Sequence, residues 1–282
     1  MKVAQNWVDY KVISSSDGEK LEKWGDFFLI RPDPQVIWKA HLPLEKLHSV
    51  DAYYKRNSSG GGQWFFNKTL PEQWIIGWQG IKFLVKPMGF KHTGLFPEQA
   101  VNWESISNLI KNAKREIKVL NLFAYSGAAS VVCAKAGAIV THVDASKGMV
   151  DRAKENASLN EIKNIRFLID DCKKFIEREI RRGNKYDAII MDPPSYGRGT
   201  NGETWKLEED LFDFVALCKK VLSDNPLFVL ISSYTTGLQP CVLKNVLSIC
   251  FGKENIDADE IGLPCDDGLV LPCGARGLKI WN

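Results

Sequence analysis

Apolar positions follow two different rhythms along the chain. In residues 1–95 short apolar or aromatic runs are cut by Gly, Pro and polar turn residues. Phe27-Phe28-Leu29-Ile30 ends at Arg31-Pro32-Asp33-Pro34, Val36-Ile37-Trp38 ends near Pro43, and Gln63-Trp64-Phe65-Phe66 is followed by Pro71. Trp74-Ile75-Ile76-Gly77-Trp78 and Ile81-Lys82-Phe83-Leu84-Val85 flank Gln79-Gly80. This punctuation, with its β-branched and aromatic content, predicts a small antiparallel β domain over residues 1–95. Ser58-Ser59-Gly60-Gly61-Gly62 reads as a flexible loop. Most of the tryptophans lie here: Trp7, Trp24, Trp38, Trp64, Trp74 and Trp78. Large aromatics dominate core burial, so filling a small core is the favoured reading over stacking on nucleic-acid bases.

From residue 96 the rhythm changes to helix and strand in alternation. A helix is predicted around residues 99–114. Val119-Leu120-Asn121-Leu122 reads as a buried parallel strand, residues 138–144, 165–171, 186–192 and 227–233 as further strands, and Leu278-Lys279-Ile280-Trp281 as a last one. Helices are expected after the first strand, over 146–160 with Ser146 as a possible cap, after residue 171, and over 207–222. Strands alternating with helices imply right-handed crossovers, and hence an α/β domain over 96–282 with a doubly wound, mostly parallel sheet.

Composition adds little that is special. Apolar residues make up 45% and charged residues 25%, ordinary for a globular protein, and the net charge of +3 is compatible with an anionic partner without implying one. No apolar run is long enough to span a bilayer and the first residues lack a signal core, so a cytoplasmic protein is expected. Seven scattered cysteines point to reduced thiols, and with no Cys-x-x-Cys pair no metal site is expected. Cys265 and Cys273 flank a predicted turn at Asp266-Asp267-Gly268. Lys111, Lys114, Arg115, Lys173, Lys174, Arg178, Arg181 and Arg182 would suit a phosphate backbone, but their interleaving with Glu reads as solvated helix faces.

The candidate chemistry gathers at the carboxyl ends of the predicted strands. The first strand breaks at Ser126-Gly127 and restarts as a helix. Such a turn makes a crevice where open α/β sheets bind ligands, and its free N–H groups favour an electronegative group. Asp144, Asp171 and Asp192 recur at the ends of successive strands. A single such acid is commonly a helix cap; three in order beside a glycine turn fit a nucleoside cofactor, with Asp144 on the ribose hydroxyls and Asp171 on the adenine amine. Asp192 continues as Pro193-Pro194-Ser195-Tyr196. The prolines stiffen the loop and remove two donors. The Asp192 carboxylate and the Pro193 carbonyl are then acceptors, and Tyr196 offers a flat ring, which suits a nucleobase amine. His92-Thr93-Gly94-Leu95-Phe96-Pro97-Glu98-Gln99 sits where the two predicted domains join, a common place for ligand sites.

In order, the segments 92–99, Asn121 to Gly127, and Asp192-Pro193-Pro194-Ser195-Tyr196 resemble the class I S-adenosylmethionine-dependent methyltransferases, more narrowly the group with the large-subunit ribosomal RNA methyltransferases. The likeness covers roughly residues 20 to 282. It implies a seven-stranded Rossmann-like fold and S-adenosyl-L-methionine as cofactor. It implies Thr93, Gly94 and Gln99 at the methionine end, the Phe123, Ala124, Tyr125, Ser126 and Gly127 backbone beside it, Asp144, Ala145 and Ser146 at the ribose, and Asp171 with the Cys172 backbone at the adenine. Asp192, Pro193 and Tyr196 would hold the acceptor, with Asp192 also bordering the cofactor. Some members methylate cytosine carbon 5 with a cysteine after the fifth strand; here the place reads Ser232-Ser233-Tyr234, without the thiolate that chemistry needs. The expectation is methyl transfer to a nucleobase nitrogen in RNA. A cofactor-binding protein without transferase activity, or a methyltransferase of protein or small molecules, is the alternative. A nicotinamide dehydrogenase is disfavoured, because the turn has one glycine where the dinucleotide fingerprint has three.

Overall fold

The computed structural model describes residues 1–57, 61–198, 204–235 and 237–281, so Ser58, Ser59 and Gly60 of the expected loop lie outside the described residues. The chain packs as two compact units. One comprises residues 3–101 with 262–273, the other residues 1–2, 102–261 and 274–282. The return of residues 262–273 to the first unit has no signature in the hydrophobic pattern.

After β1 (Lys2–Val3), the N-terminal unit is built from β2 (Tyr10–Ser16), β3 (Glu19–Trp24), β4 (Phe27–Pro32), β5 (Ala52–Arg56), β6 (Gly62–Phe66), β7 (Trp74–Trp78) and β8 (Ile81–Val85). Strands β2 to β6 form one sheet in sequence order, and β7 and β8 form the expected hairpin. Neighbours run antiparallel except β4 and β5, which are parallel through Leu29↔Ala52 and Ile30↔Tyr53. The connection over residues 33–51 is long enough to carry the chain back to the start of a parallel neighbour. Trp24 and Trp78 are buried as expected, but Phe66 and Phe90 are exposed. Inside the unit lies a buried ion pair. Arg31 donates through Nε to Glu22 Oε2 at 2.6 Å and through Nη2 to Oε1 at 2.7 Å, and Tyr10 OH donates to Oε1 at 2.7 Å. The Arg31 guanidinium lies 5.1 Å from the Trp24 ring centre.

The larger unit follows α1 (Ala100–Asn112). It continues with β9 (Lys118–Leu122), α2 (Ala128–Lys135), β10 (Ile139–Asp144), α3 (Lys147–Leu159), β11 (Ile165–Ile169), α4 (Cys172–Arg182) and β12 (Ala188–Met191). A hairpin of β13 (Tyr196–Arg198) and β14 (Thr204–Lys206) comes next, then α5 (Leu207–Lys219), β15 (Phe228–Ser233), α6 (Pro240–Phe251), β16 (Ile256–Pro264) and β17 (Val270–Ile280). The main sheet has the order β1-β16-β17-β15-β12-β9-β10-β11. Strands β15, β12, β9, β10 and β11 are parallel, and β17 runs antiparallel to β15. The two-residue β1 adds an eighth strand to the seven expected.

Alternation along the strands sorts side chains onto two faces. Leu120, Leu122, Ile189 and Met191 pack with Phe175 and Ile176 of α4 and Phe214 and Val215 of α5. Val119, Val140, Ala188 and Ile190 pack with Ile106 and Ile110 of α1 and Cys133 and Ala134 of α2. Helices cover both faces, which is the doubly wound arrangement. Strand order reverses between β9 and β12, one of which leads outward through β10 and β11 and the other through β15. A crevice opens at the carboxyl ends of strands at such a reversal.

Candidate active site at the carboxyl edge of the sheet

Because β9, β10, β11 and β12 are parallel neighbours, residues 123–127, 144–146, 171–172 and 192–196 all follow strands that end on one edge. The turn after β9 is conformationally demanding. Phe123, Tyr125 and Gly127 have φ of 53°, 50° and 80°. Positive φ is uncommon for aromatic residues and persists where the surroundings fix it. Here they do. Phe123 N donates to Cys172 Sγ at 3.3 Å, Ala124 N to Val143 O at 3.1 Å, and Tyr125 N to Asp144 Oδ2 at 2.8 Å. Asn156 Nδ2 donates to Ser126 O at 2.9 Å.

Gly127 caps α2 without any side-chain cap bond, so the first N–H groups of α2 keep their capacity for an electronegative ligand group. What approaches the missing Gly127 side chain is protein. A Cβ there would meet Ala153 Cβ at 2.6 Å. The glycine thus serves helix packing as well as the turn.

Asp144 ends β10. Its Oδ2 accepts from Tyr125 N and its Oδ1 from Ser146 N, each at 2.8 Å. Burial pushes the carboxyl above the ordinary aspartate value, and the two backbone donors offset part of this. Each carboxylate oxygen has a second acceptor position, so the pair of oxygens still matches a diol. Ala145 and Ser146 are exposed, and Ser146 precedes α3 without a side-chain cap bond; its N–H turns back to Asp144 instead.

Asp171 is exposed and caps α4, Oδ1 accepting from Lys174 N at 2.9 Å. The cap alternative weighed for these acids is therefore real at this position, and it occupies one oxygen of the two. Cys172 opens α4, so its N–H has no partner within the helix. Its thiol is buried, which pushes it well above the ordinary cysteine value and suits packing under the β9 turn rather than reactivity.

Asp192 follows β12 half-buried, Pro193 is buried, and Tyr196 is 52% exposed at the start of β13. The loop is fastened at both ends. Trp205 Nε1 donates to Pro194 O at 2.6 Å, Leu207 N donates to Ser195 O at 3.0 Å, and Ser195 Oγ lies 2.6 Å from Thr235 Oγ1. The indole takes the Pro194 carbonyl and not that of Pro193. The Trp205 ring also packs 5.4 Å from Phe123 and 5.5 Å from Phe214. Sequence reasoning missed Trp205, since nothing at position 205 announces a partner eleven residues earlier.

Thr93, Gly94 and Gln99 belong to the N-terminal unit. Thr93 O accepts from Lys86 N at 3.1 Å, Gly94 has φ of 88°, and Gln99 ends a 3-10 turn over Pro97–Gln99. Thr93 is fully buried and its Oγ1 has no hydrogen-bond partner. A buried hydroxyl without a partner costs free energy and is a fitting feature for a residue that meets a ligand. Within the larger unit, the uncapped α2 and the desolvated Asp144 suit an amino-acid and ribose cofactor; the orphaned Thr93 hydroxyl is a separate feature of the N-terminal unit. Among the described residues no group of His, Cys, Asp and Glu is arranged to hold a metal. Several basic residues singled out in the sequence are spent locally: Arg178 pairs with Asp170, Arg182 with Glu179 at 3.0 Å, and Arg115 with Asp187 at 3.0 Å. No helix among the described residues is long and apolar enough to cross a membrane.

Comparison with known proteins identifies the family and the fold. The family model described as S-adenosylmethionine-dependent methyltransferase matches residues 30–214. The ribosomal RNA large subunit methyltransferase K/L of Pseudoalteromonas translucida (strain TAC 125) is 32% identical over 207 residues, covering 72% of this chain and 27% of that protein. The ribosomal RNA large subunit methyltransferase I of Aeromonas salmonicida (strain A449) is 35% identical over 132 residues, covering 46% of this chain and 32% of that protein. The chain thus spans about a third or less of these curated relatives. The crystal structure of a SAM-dependent methyltransferase from Agrobacterium tumefaciens is 35% identical, covers 99% of this chain and 92% of its own, and superposes with a TM-score of 0.92. The structure of SMU.776 complexed with SAH shares the fold, at 21% identity and a TM-score of 0.77, with 98% of this chain and 76% of that chain covered. The chain belongs to the S-adenosylmethionine-dependent methyltransferase family.

Proposed function

We propose that the chain transfers a methyl group from S-adenosylmethionine to a nucleobase nitrogen in RNA. One observation carries the nitrogen reading. The Asp192 carboxylate and the Pro193 carbonyl follow β12 on the same edge as Asp144, in a loop whose two prolines contribute no donors. Acceptors in a stiff loop bind an amine through its hydrogens and leave its lone pair to face the methyl group. The sulfonium supplies its own activation when bound, so positioning is the main task of the protein, and well-aligned groups lower a barrier by several kcal/mol, on the order of 7 or more at best. Tyr196, exposed at the mouth of the loop, would stack on the base.

For the cofactor, Asp144 would take the ribose hydroxyls, with Ala145 and Ser146 alongside. Asp171 Oδ2 and the Cys172 N–H would take the adenine edge. The turn 123–127 and the start of α2 would border the methionine end, with Thr93, Gly94 and Gln99 assigned there by the family resemblance. RNA as acceptor draws support from the relatives named as ribosomal RNA methyltransferases. Attack through carbon 5 lacks its nucleophile: Ser232 and Ser233 are the buried last residues of β15, and Ser233 Oγ accepts from Thr235 N at 3.1 Å. The seven free cysteines fit a reducing cytoplasm.

The test is incubation with methyl-labelled S-adenosylmethionine and total RNA from a strain lacking the protein, followed by digestion to nucleosides. Label in an N-methylated nucleoside is the expected result. Label in a carbon-5-methyl or ribose-methyl nucleoside, or in the protein fraction alone, would overturn the reading.

A further inference from the structure

The N-terminal unit carries an aromatic surface that its own core does not consume. Phe66 is 55% exposed and Phe90 is 67% exposed. Trp64 ties together the segments that carry them. Its ring stacks on Phe66 with centroids 6.5 Å apart and planes inclined by 29°, and its Nε1 donates to Met88 O at 2.8 Å and Phe90 O at 3.2 Å. Strand β6 is the edge of its sheet, so no further strand of that sheet pairs beyond it among the described residues.

Cationic charge lies on the same side. On β5, Tyr54 faces Trp64 across the ladder and Arg56 is two residues further along, hence on the same face and exposed. The next segment, Lys91-His92, leads into Thr93-Gly94. Lys91 is lowered to about 8, chiefly by burial and against the pull of Asp33, with the cations Lys20, Arg31 and Arg56 adding to burial. Burial also lowers His92, to about 4, with Arg31, Lys91 and Lys20 adding to it. Arg31 and Lys20 are paired with Glu22 and Asp33, which leaves Arg56 as the exposed cation on the face of Trp64 and Phe66.

Planar aromatic rings open to water beside an exposed guanidinium fit a partner that is both flat and anionic. A protein partner of ordinary apolar character would use the rings but gain nothing from the guanidinium. We propose that Phe66 and Phe90, held by Trp64, form a stacking platform for unpaired bases of the RNA substrate, with Arg56 contacting its phosphates. This deepens the RNA reading above and rests on it.

The experiment is fluorescence anisotropy of the full chain with an end-labelled, unstructured oligoribonucleotide of about 12 nucleotides, within the usual site sizes for single strands. Trp64 is left intact, because it ties the segment 88–90 to β6. The double variant Phe66→Ala/Phe90→Ala is expected to weaken binding about tenfold or more. Arg56→Gln is expected to flatten the slope of log affinity against log salt by about 0.7, the loss of one phosphate contact on a single strand. Affinity for S-adenosylhomocysteine, read by calorimetry, should stay unchanged in both variants and shows that they are folded. Variants that bind S-adenosylhomocysteine normally and the oligonucleotide as well as the parent does would overturn the platform while leaving RNA methylation standing. A parent chain that binds no oligonucleotide and labels only protein would overturn both readings. A dimer in sedimentation that the double variant dissociates would assign the surface to a second copy and overturn the proposal.

Discussion

Gly127 shows how one residue joins fold and site. Its φ of 80° and the 2.6 Å that would separate a new Cβ from Ala153 Cβ are two independent obstacles to a side chain. Gly127→Ala is expected to cost about 3 kcal/mol in urea unfolding, from the left-handed backbone and the overpacking together. In an Ala153→Gly background the same change should cost less, because only the backbone part remains; equal costs in the two backgrounds would refute the steric account. At Asp144, burial raises the carboxyl, and the protonated form loses the acceptor character a ribose needs. Affinity for S-adenosylhomocysteine should therefore decline on acidification with a midpoint above the ordinary aspartate value; a pH-independent affinity down to that value would argue against the assignment. For Asp192→Asn the expected outcome is a fall in kcat of about a hundredfold with cofactor affinity retained. Equal losses in kcat and affinity would make Asp192 a cofactor or structural residue. At this scale the sequence was informative for the acids, since each follows an apolar run that reads as a strand, although the one before Asp171 is an edge strand with no buried residue. It was silent on Gly127 against Ala153, because that contact joins two helices.

Among the elements, the loop after β12 owes its shape to β14. Trp205 reaches from that strand to the Pro194 carbonyl at 2.6 Å and packs on Phe123, so one side chain braces both the acceptor loop and the β9 turn. Trp205→Phe keeps the ring and removes the N–H. It is expected to lower kcat about tenfold, a loss of one hydrogen bond, while leaving affinity for S-adenosylhomocysteine unchanged. A change in affinity alone would mean that Trp205 serves the β9 turn and not the acceptor loop. The helices and parallel strands were legible because apolar spacing fixes which face is buried, and their ends fell within a few residues of expectation: α3 spans Lys147–Leu159 against 146–160, and β12 spans Ala188–Met191 against 186–192. The hairpin of β13 and β14 was not legible, because short strands at the surface carry little hydrophobic alternation. The parallel pair β4 and β5 was missed for a different reason: pairing direction depends on where the long connection returns the chain, and spacing along a strand carries no record of it.

The two compact units differ in what holds them. The larger is a doubly wound sheet with apolar clusters on both faces, and the smaller sets the buried Glu22–Arg31 pair beside its own apolar cluster. Burial alone would raise the Glu22 carboxyl, but Arg31, Lys20 and Tyr10 outweigh it and hold it at about 2 against an ordinary 4.5. A carboxyl depressed in the folded state stabilises fully above its unfolded value and loses that contribution as pH falls from about 4.5 toward 2. Glu22→Gln should cost about 3 to 5 kcal/mol at pH 7, since it leaves Arg31 buried without its partner. The gap between variant and parent should narrow below pH 4.5; a constant gap in unfolding measurements down to pH 3 would contradict it. This network was invisible in the sequence, where Glu22 and Arg31 are ordinary polar positions on neighbouring strands. The family, by contrast, was legible, because a glycine turn and three strand-end acids must lie on one edge once the strands are parallel. The central claim is that this edge seats the adenosine half of the cofactor with its sulfur toward Asp192. The most direct test is a crystal structure of the complex with S-adenosylhomocysteine. The account predicts the ribose hydroxyls on the Asp144 carboxylate and the sulfur facing the Asp192-Pro193 loop; a ribose held by other residues, or a sulfur turned away from that loop, would contradict it.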